Sequence, residues 1–429
     1  MPIRIDDARM MASVVPSGVL PAEWNDLALR FGEVHAAVGR ENLTGRYGFM
    51  ELEPQAAEQA RVSEFATAAR ARYDDVVVLG IGGSALGAIA MRSALSGSGD
   101  SPRFHVVDNI DPVTISDLLN RLVLNRTLWC VMSKSGTTVE TLCQYAVVRE
   151  RLIAAQLTPA AHLVFVTDPI VGSLRAIAVR DGIPVFDLPA NVGGRFSVLT
   201  PIGMLPAALA GYDTAALLGG AQRMLIRCSS PSLSENPAGI FAALLWRAQQ
   251  RAGQATHVLM PYSDRLRDIA PWFVQLWGES LGKVDADGFP AGPTPVGARG
   301  ATDQHSLLQL LMEGPADKVV AFVKLAAHDS DLTVPADGDL PDVAGFMRGR
   351  TLGQLLDAEA DATASALARA GRPSLSVTLD ACDANTLGEL FMMLMLATVY
   401  AGALYRVNPL DQPGVELGKK LAKEALQAR

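Results

Sequence analysis

From Asp74 onward the chain alternates short β-branched runs with stretches of helical length, and this rhythm restricts its fold more than any other feature. VVVL (76–79), FHVV (104–107), LWCVM (128–132), LVFVT (163–167) and PVFDL (184–188) have the length and composition of buried strands. A second series follows at HVLM (257–260), VVAFVKL (319–325) and LSVTL (375–379), with helices expected near 236–251, 265–281, 305–313, 350–370 and 384–405. Strands that alternate with helices pair in parallel and are covered on both faces. The expected class is therefore α/β, with two doubly wound domains of mainly parallel sheet. An alanine-rich helical segment over residues 1–70 precedes a first domain at 71–230, a second at 231–405 and a helical tail at 406–429. Segments 288–300 and 328–343 read as surface loops.

The 429 residues, 49% of them hydrophobic, can build sizeable cores. A net charge of −8 without any dense Lys/Arg block argues against a nucleic-acid partner. The longest apolar run, residues 390–405, is shorter than the roughly 20 residues of a membrane-spanning helix and reads as a buried helix, so no membrane partner is expected. Cys130, Cys143, Cys228 and Cys382 have neither C-x-x-C spacing nor nearby histidines, which suggests reduced, mostly buried thiols and no metal site. The opening residues show no secretion signal, and a cytoplasmic location is expected.

Chemistry concentrates at strand ends. In VMSKSGTTVETL (131–142) an apolar strand runs into hydroxyls, a glycine and a helix start. Ser133, Ser135, Thr137 and Thr138 can donate hydrogen bonds, Lys134 adds a cation, Gly136 permits a tight turn, and a helix N-terminus supplies free N–H groups. Such a socket suits a terminal phosphate monoester; the alternative is an ordinary helix cap. Upstream, VVVLGIGGSALGAIAM (76–91) is a strand, a glycine turn and a helix in which Gly80, Gly82 and Ala85 fit G-x-G-x-x-A. With Asp108 ending the next strand, that pattern admits a dinucleotide cofactor and a dehydrogenase. Alternatively Gly83 and Ser84 face the same crevice as the hydroxyl loop, and one sugar phosphate touches both.

Four further segments stand out. NVGGRFSVL (191–199) places Arg195, a permanent planar cation, behind two glycines; it either stabilises an anion or caps a helix in a surface loop. In APWFVQLWGESLGK (270–283), Glu279 lies near a helix end and suits a general base, or else it is a surface glutamate paired with Lys283 one turn on. His305 precedes a short apolar helix, where it exchanges protons or simply packs. The tail segment DQPGVELGK (411–419) brings Gln412, Glu416 and Lys419 together in a turn and a helix start, whose plainer reading is a Glu416–Lys420 pair.

Taken together, VLGIGGSALG, SKSGTTVET, GGRFSVLTPIG, ESLGK, DQHS and DQPGVELGK, in this order over residues 78–420, resemble the phosphoglucose isomerase family of the sugar isomerase fold. The resemblance implies two sugar-isomerase-type domains and reversible conversion of glucose 6-phosphate to fructose 6-phosphate through a cis-enediolate, without metal or other cofactor. It implies that Glu279 moves the proton between C2 and C1, that Arg195 stabilises the enediolate, and that His305 and Lys419 assist ring opening. Ser133, Ser135 and Thr138 would hold the phosphate, with Gly83, Ser84 and Gln412 lining the sugar. It also implies a homodimer in which the histidine serves the neighbouring subunit's site. Two departures touch the surroundings of the base and the histidine: Leu281 stands where the family often has asparagine, and Asp303 where it commonly has glycine. An isomerase for another phosphosugar, or a non-catalytic sugar-phosphate sensor, would share the phosphate socket.

Overall fold

The computed structural model describes residues 3–53, 56–97, 101–337 and 340–427. Its strands in chain order are β1 (Ile3–Asp6), β2 (Asp75–Leu79), β3 (Arg103–Val107), β4 (Thr127–Met132), β5 (Leu163–Thr167), β6 (Val185–Asp187), β7 (Thr256–Pro261), β8 (Lys283–Val284), β9 (Pro290–Ala291), β10 (Thr294–Gly297), β11 (Lys318–Leu325) and β12 (Ser374–Leu379). The eight expected strands are β2 to β7, β11 and β12.

The first sheet has the order β3-β2-β4-β5-β6, parallel throughout. The order in which strands are added across the sheet reverses between β2 and β4, and open α/β sheets bind ligands beyond the carboxyl ends of strands at such a point. Side chains alternate cleanly: Val76, Val78, Leu128 and Cys130 belong to one core, and Val77, Leu79, Trp129 and Val131 to the other. Helices Ala56–Arg70 and Pro201–Leu209 cover the first face; Pro112–Arg121, Val139–Ala154 and Ser173–Asp181 cover the second. Burial on both faces is why these strands read as unbroken apolar runs.

The second sheet runs β1-β12-β11-β7-β10, parallel except for β1, which pairs antiparallel with β12 from Ile3↔Leu379 to Asp6↔Ser376. Two of its strands depart from the sequence reading. Residues 1–70 are not helical throughout, since β1 precedes the helices Pro21–Asn42 and Ala56–Arg70. Segment 288–300 is not merely a loop, because it contains β9 and β10. β10 includes Pro295, which is tolerated because the strand lies at the sheet edge.

The apolar helix has the expected bounds, Ala384–Tyr405, and with the residues ahead of its apolar run it could by length and composition cross a bilayer. Within the protein 94% of its apolar window is buried, against helices Thr214–Arg227 and Pro237–Ala252. Cys130, Cys228 and Cys382 are buried free thiols, whereas Cys143 is exposed.

At the opposite end of the first sheet from the ligand crevice, Asp75 is fully buried and bonded by Arg103 (2.8 and 2.6 Å) and His105 Nε2 (2.8 Å). Burial alone would raise its carboxyl, but those hydrogen bonds and charges outweigh it and hold it below the usual carboxylate value. A depressed native value stabilises the fold above the unfolded carboxylate value of about 4, and that contribution is lost as pH falls through the native value. Asp75→Ala is therefore expected to cost about 2–3 kcal/mol near neutral pH. In urea unfolding at a series of pH values, the gap between wild type and variant should close below about pH 4; a gap that persists unchanged in acid would refute the account.

Candidate active site

The two loops where the strand order of the first sheet reverses are the glycine turn after β2 and the hydroxyl loop after β4. Gly82–Ser84 forms one turn of 3-10 helix that leads into helix Leu86–Leu95. A side chain on Gly83 would come within 2.3 Å of Gly194 and 2.7 Å of the Arg195 nitrogen. Only glycine allows this backbone-to-backbone contact, so the bare face of Gly83 seats the arginine loop. Ser84 is half-buried beside it.

In the hydroxyl loop, Gly136 takes a φ of +63°, which glycine adopts without strain. Ser133 is buried, and its hydroxyl pairs with that of Thr138 at 2.9 Å. Ser135 Oγ accepts from the Thr137 amide (3.2 Å) and hydroxyl (3.0 Å). Thr138 occupies the cap position of helix Val139–Ala154 without a side-chain capping bond. The plain helix-cap reading therefore fails, and the first-turn N–H groups keep the partial positive charge that draws an anion. Lys134 differs from expectation. Its ammonium donates to the carbonyls of Ala190 (3.1 Å) and Val192 (2.6 Å), so it braces the chain ahead of Arg195 instead of facing the hydroxyls. Burial lowers its pKa, against the opposing charge of Asp168.

Arg195 lies in the 3-10 segment Gly194–Leu199, is buried, and is not a surface cap. Each of its five N–H groups has an acceptor. Nε donates to Ser280 Oγ (2.7 Å); one terminal nitrogen donates to Glu279 (3.3 Å) and Gln412 Oε1 (2.6 Å); the other donates to the carbonyls of Pro409 and Asp411 (2.9 Å). Burial pulls the guanidinium below arginine's usual value, and Glu279 and Asp411 oppose that shift; an arginine remains charged regardless.

Glu279 closes the group. It lies in helix Ile269–Leu281 with its side chain one-third exposed, and accepts from Gln275 Nε2 at 3.3 Å as well as from Arg195. A side chain on Gly82 would meet the same Gln275 nitrogen at 2.8 Å, so the glycine turn, Gln275, Glu279, Arg195 and Gln412 form one continuous cluster. The proposed Glu279–Lys283 pair does not form: Lys283 donates instead to the carbonyls of Asn408 and Asp411 (2.7 Å) and to the Asp411 carboxylate (2.6 Å). Gln275 is the member that the sequence reading passed over. Its place one turn before Glu279, on the same helical face, was the available signal.

His305 and Lys419 stand apart. His305 ends the 3-10 turn Thr302–His305, is exposed, and among the described residues has no hydrogen bond or ion pair to Arg195 or Glu279. Of the two departures, Asp303 serves a local purpose, since its carboxylate accepts from the Arg299 amide (2.7 Å) and the Ser306 hydroxyl (2.8 Å), while Leu281 is buried in the core. Lys419 pairs with Glu416 at 2.8 Å on helix Glu416–Gln427, every residue of which is exposed. The expected Glu416–Lys420 pair gives way to Glu416–Lys419 and Lys420–Glu424. The tail meets the cluster through the turn at 409–412, which bonds Arg195, and not through Lys419.

The family model described as phosphoglucose isomerase matches residues 49–428, which include every residue of this cluster and both loops. The chain belongs to the phosphoglucose isomerase family. A glucose-6-phosphate isomerase of Rubrobacter xylanophilus is 42% identical over 419 residues, covering 95% of this chain and 94% of the relative. Among solved structures, a hypothetical protein of Thermus thermophilus superposes with a TM-score of 0.89 at 39% identity, over 99% of both chains. A glucose-6-phosphate isomerase of Chlamydia trachomatis does so with a TM-score of 0.78 at 28% identity, over 87% of this chain and 73% of the other. The phosphoglucose isomerase pattern therefore extends over the first sheet, every strand of the second except β1, and the tail, and the G-x-G-x-x-A turn belongs to it instead of marking a dehydrogenase.

Proposed function

We propose that this chain interconverts glucose 6-phosphate and fructose 6-phosphate through a cis-enediolate, and that it does so in the cytoplasm as a homodimer. The carrying observation is the direct contact of Glu279 with the buried cation Arg195, beside two loops suited to a sugar phosphate. The phosphate sits on the hydroxyls of Ser133, Ser135, Thr137 and Thr138 and on the helix start behind them. With the ring open, Glu279 takes the proton from C2 of the aldose and the C–H electron pair moves into the C1–C2 bond. The C1 carbonyl pair moves onto oxygen, where Arg195 stabilises it; the hydroxyl proton on O2 then passes to O1, the O2 pair forms the C2 carbonyl, and the C1–C2 pair takes the proton back from the same carboxyl at C1. The contact from Arg195 to Glu279 is the longest of its five, so a substrate oxygen that takes this N–H leaves the carboxylate free to act as base.

The direct test is conversion of purified fructose 6-phosphate, read by coupled oxidation of the glucose 6-phosphate formed. Rapid conversion is expected, and saturable binding without turnover would reject the reading. His305 and Lys419 act in ring opening, with His305 serving the partner's site; its exposure, and the lack among the described residues of a hydrogen bond or ion pair from it to Arg195 or Glu279, support this. Glu279→Gln and His305→Ala homodimers should each be nearly inactive. After subunit exchange between them, activity should reappear, because the mixed dimer contains one site with both groups intact. A mixture that stays inactive despite verified exchange would show that each chain supplies its own histidine.

A further inference from the structure

Lys283 is a nearly buried cation, with 9% of its side chain exposed, that the reaction scheme leaves without a task. It follows immediately after the helix that carries Glu279, at the start of the β8–β9 hairpin. Its three N–H groups take two main-chain carbonyls and one carboxylate oxygen, all within residues 408–411. The Asp411 carbonyl receives Lys283 at 2.7 Å and Arg195 at 2.9 Å, so two cations hold one carbonyl between them. The next residue, Gln412, delivers its side-chain oxygen to Arg195. Further braces close the turn: Asn408 Nδ2 bonds Asp411 at 2.8 Å, and Arg46 donates to Asn408 Oδ1 at 2.9 Å.

We infer that Lys283 is a positioning residue: it ties the end of the Glu279 helix to the 408–412 turn and so fixes the guanidinium of Arg195 relative to the base. This deepens the isomerase reading and rests on it. Lys283 acts through the Arg195 fork, while substrate phosphate is held by loops on the first sheet that it does not touch. Its loss should therefore appear in kcat and not in KM. Misplacement of catalytic groups by about 1 Å costs about 10²-fold, which sets the expected scale.

The test measures kcat and KM with fructose 6-phosphate for Lys283→Met, Lys283→Arg and Asp411→Asn, alongside unfolding midpoints. Lys283→Met should lose about 10²-fold in kcat with KM changed by less than about threefold. Lys283→Arg, which keeps a cation able to bond both carbonyls, should recover most of that loss. Asp411→Asn should lose far less, because two of the three acceptors are main chain. The inference fails if folded Lys283→Met keeps kcat within about threefold of wild type, if KM carries the loss, or if Asp411→Asn is as damaging as Lys283→Met. Inactive wild type would instead refute the isomerase reading on which it rests.

Discussion

Replacing Glu279 by glutamine should lower kcat by about 10⁴-fold while substrate affinity stays within a few-fold, which corresponds to about 5 kcal/mol of lost transition-state stabilisation. Glutamine keeps the shape of the side chain and one oxygen that can accept from Arg195; its amide nitrogen replaces only the oxygen that receives Gln275 at 3.3 Å, and the other bonds of Arg195 remain. What disappears is the ability to take a proton from carbon. Two readouts separate these effects. Calorimetric titration with the sugar phosphate should report near-native affinity, and in heavy water the variant should fail to exchange the substrate's C2 proton with solvent. Turnover within tenfold of wild type would remove Glu279 from the role of base.

Arg195→Met should lower kcat by about 10³-fold and also destabilise the fold by about 3–5 kcal/mol. The first effect follows from losing a positive charge in a water-poor setting, where it opposes little reorganisation as negative charge grows on the substrate oxygens. The second follows from the partners left behind: Ser280 Oγ, Gln412 Oε1 and the Pro409 carbonyl lose this donor, the Asp411 carbonyl is left with Lys283, and Glu279 loses its guanidinium partner. Arg195→Lys restores charge but offers at most three N–H groups for five acceptors, so it should recover part of the rate and little of the stability. Chemical denaturation and steady-state kinetics on the same preparations would test both. A variant of native stability and native kcat would mean that the guanidinium is dispensable.

Much of the architecture is legible from composition because strands buried on both faces are continuous apolar runs, and their ends fall within a residue or two of β2, β4, β5, β7, β11 and β12. β1 escapes notice because four residues give too short an alternation to outweigh the helical stretch around them, and β10 because Pro295 reads as a loop signal until the strand is known to be an edge. The hydroxyl loop and the glycine turn are recognisable because their chemistry is local. Partner choice is not local. Glu279 and Lys283 are one helical turn apart, yet the fold gives each an acceptor or donor from a distant segment: Arg195 for Glu279, and the 408–411 turn for Lys283. Lys134 belongs to the hydroxyl loop in sequence but points to carbonyls at 190 and 192. Such directions depend on tertiary packing, which neither propensity nor spacing encodes.

The pairing of β1 with β12 has a consequence for how the chain is made. On the ribosome, Ile3–Asp6 emerges well before its hydrogen-bonding partner Ser376–Leu379. At about 5–20 residues per second the opening strand waits on the order of 20–75 s for its place. The same delay holds for the buried side chains of Phe31 and Val38, which share a core with Leu396 and Tyr400. The first sheet, complete by Asp187, can assemble well before that, so the nascent chain carries one finished sheet and an unmatched amino-terminal segment through much of its synthesis. A bulky fusion placed at the amino terminus would hinder the last strand to dock, leaving the outer edge of Ser374–Leu379 open to pairing with other chains.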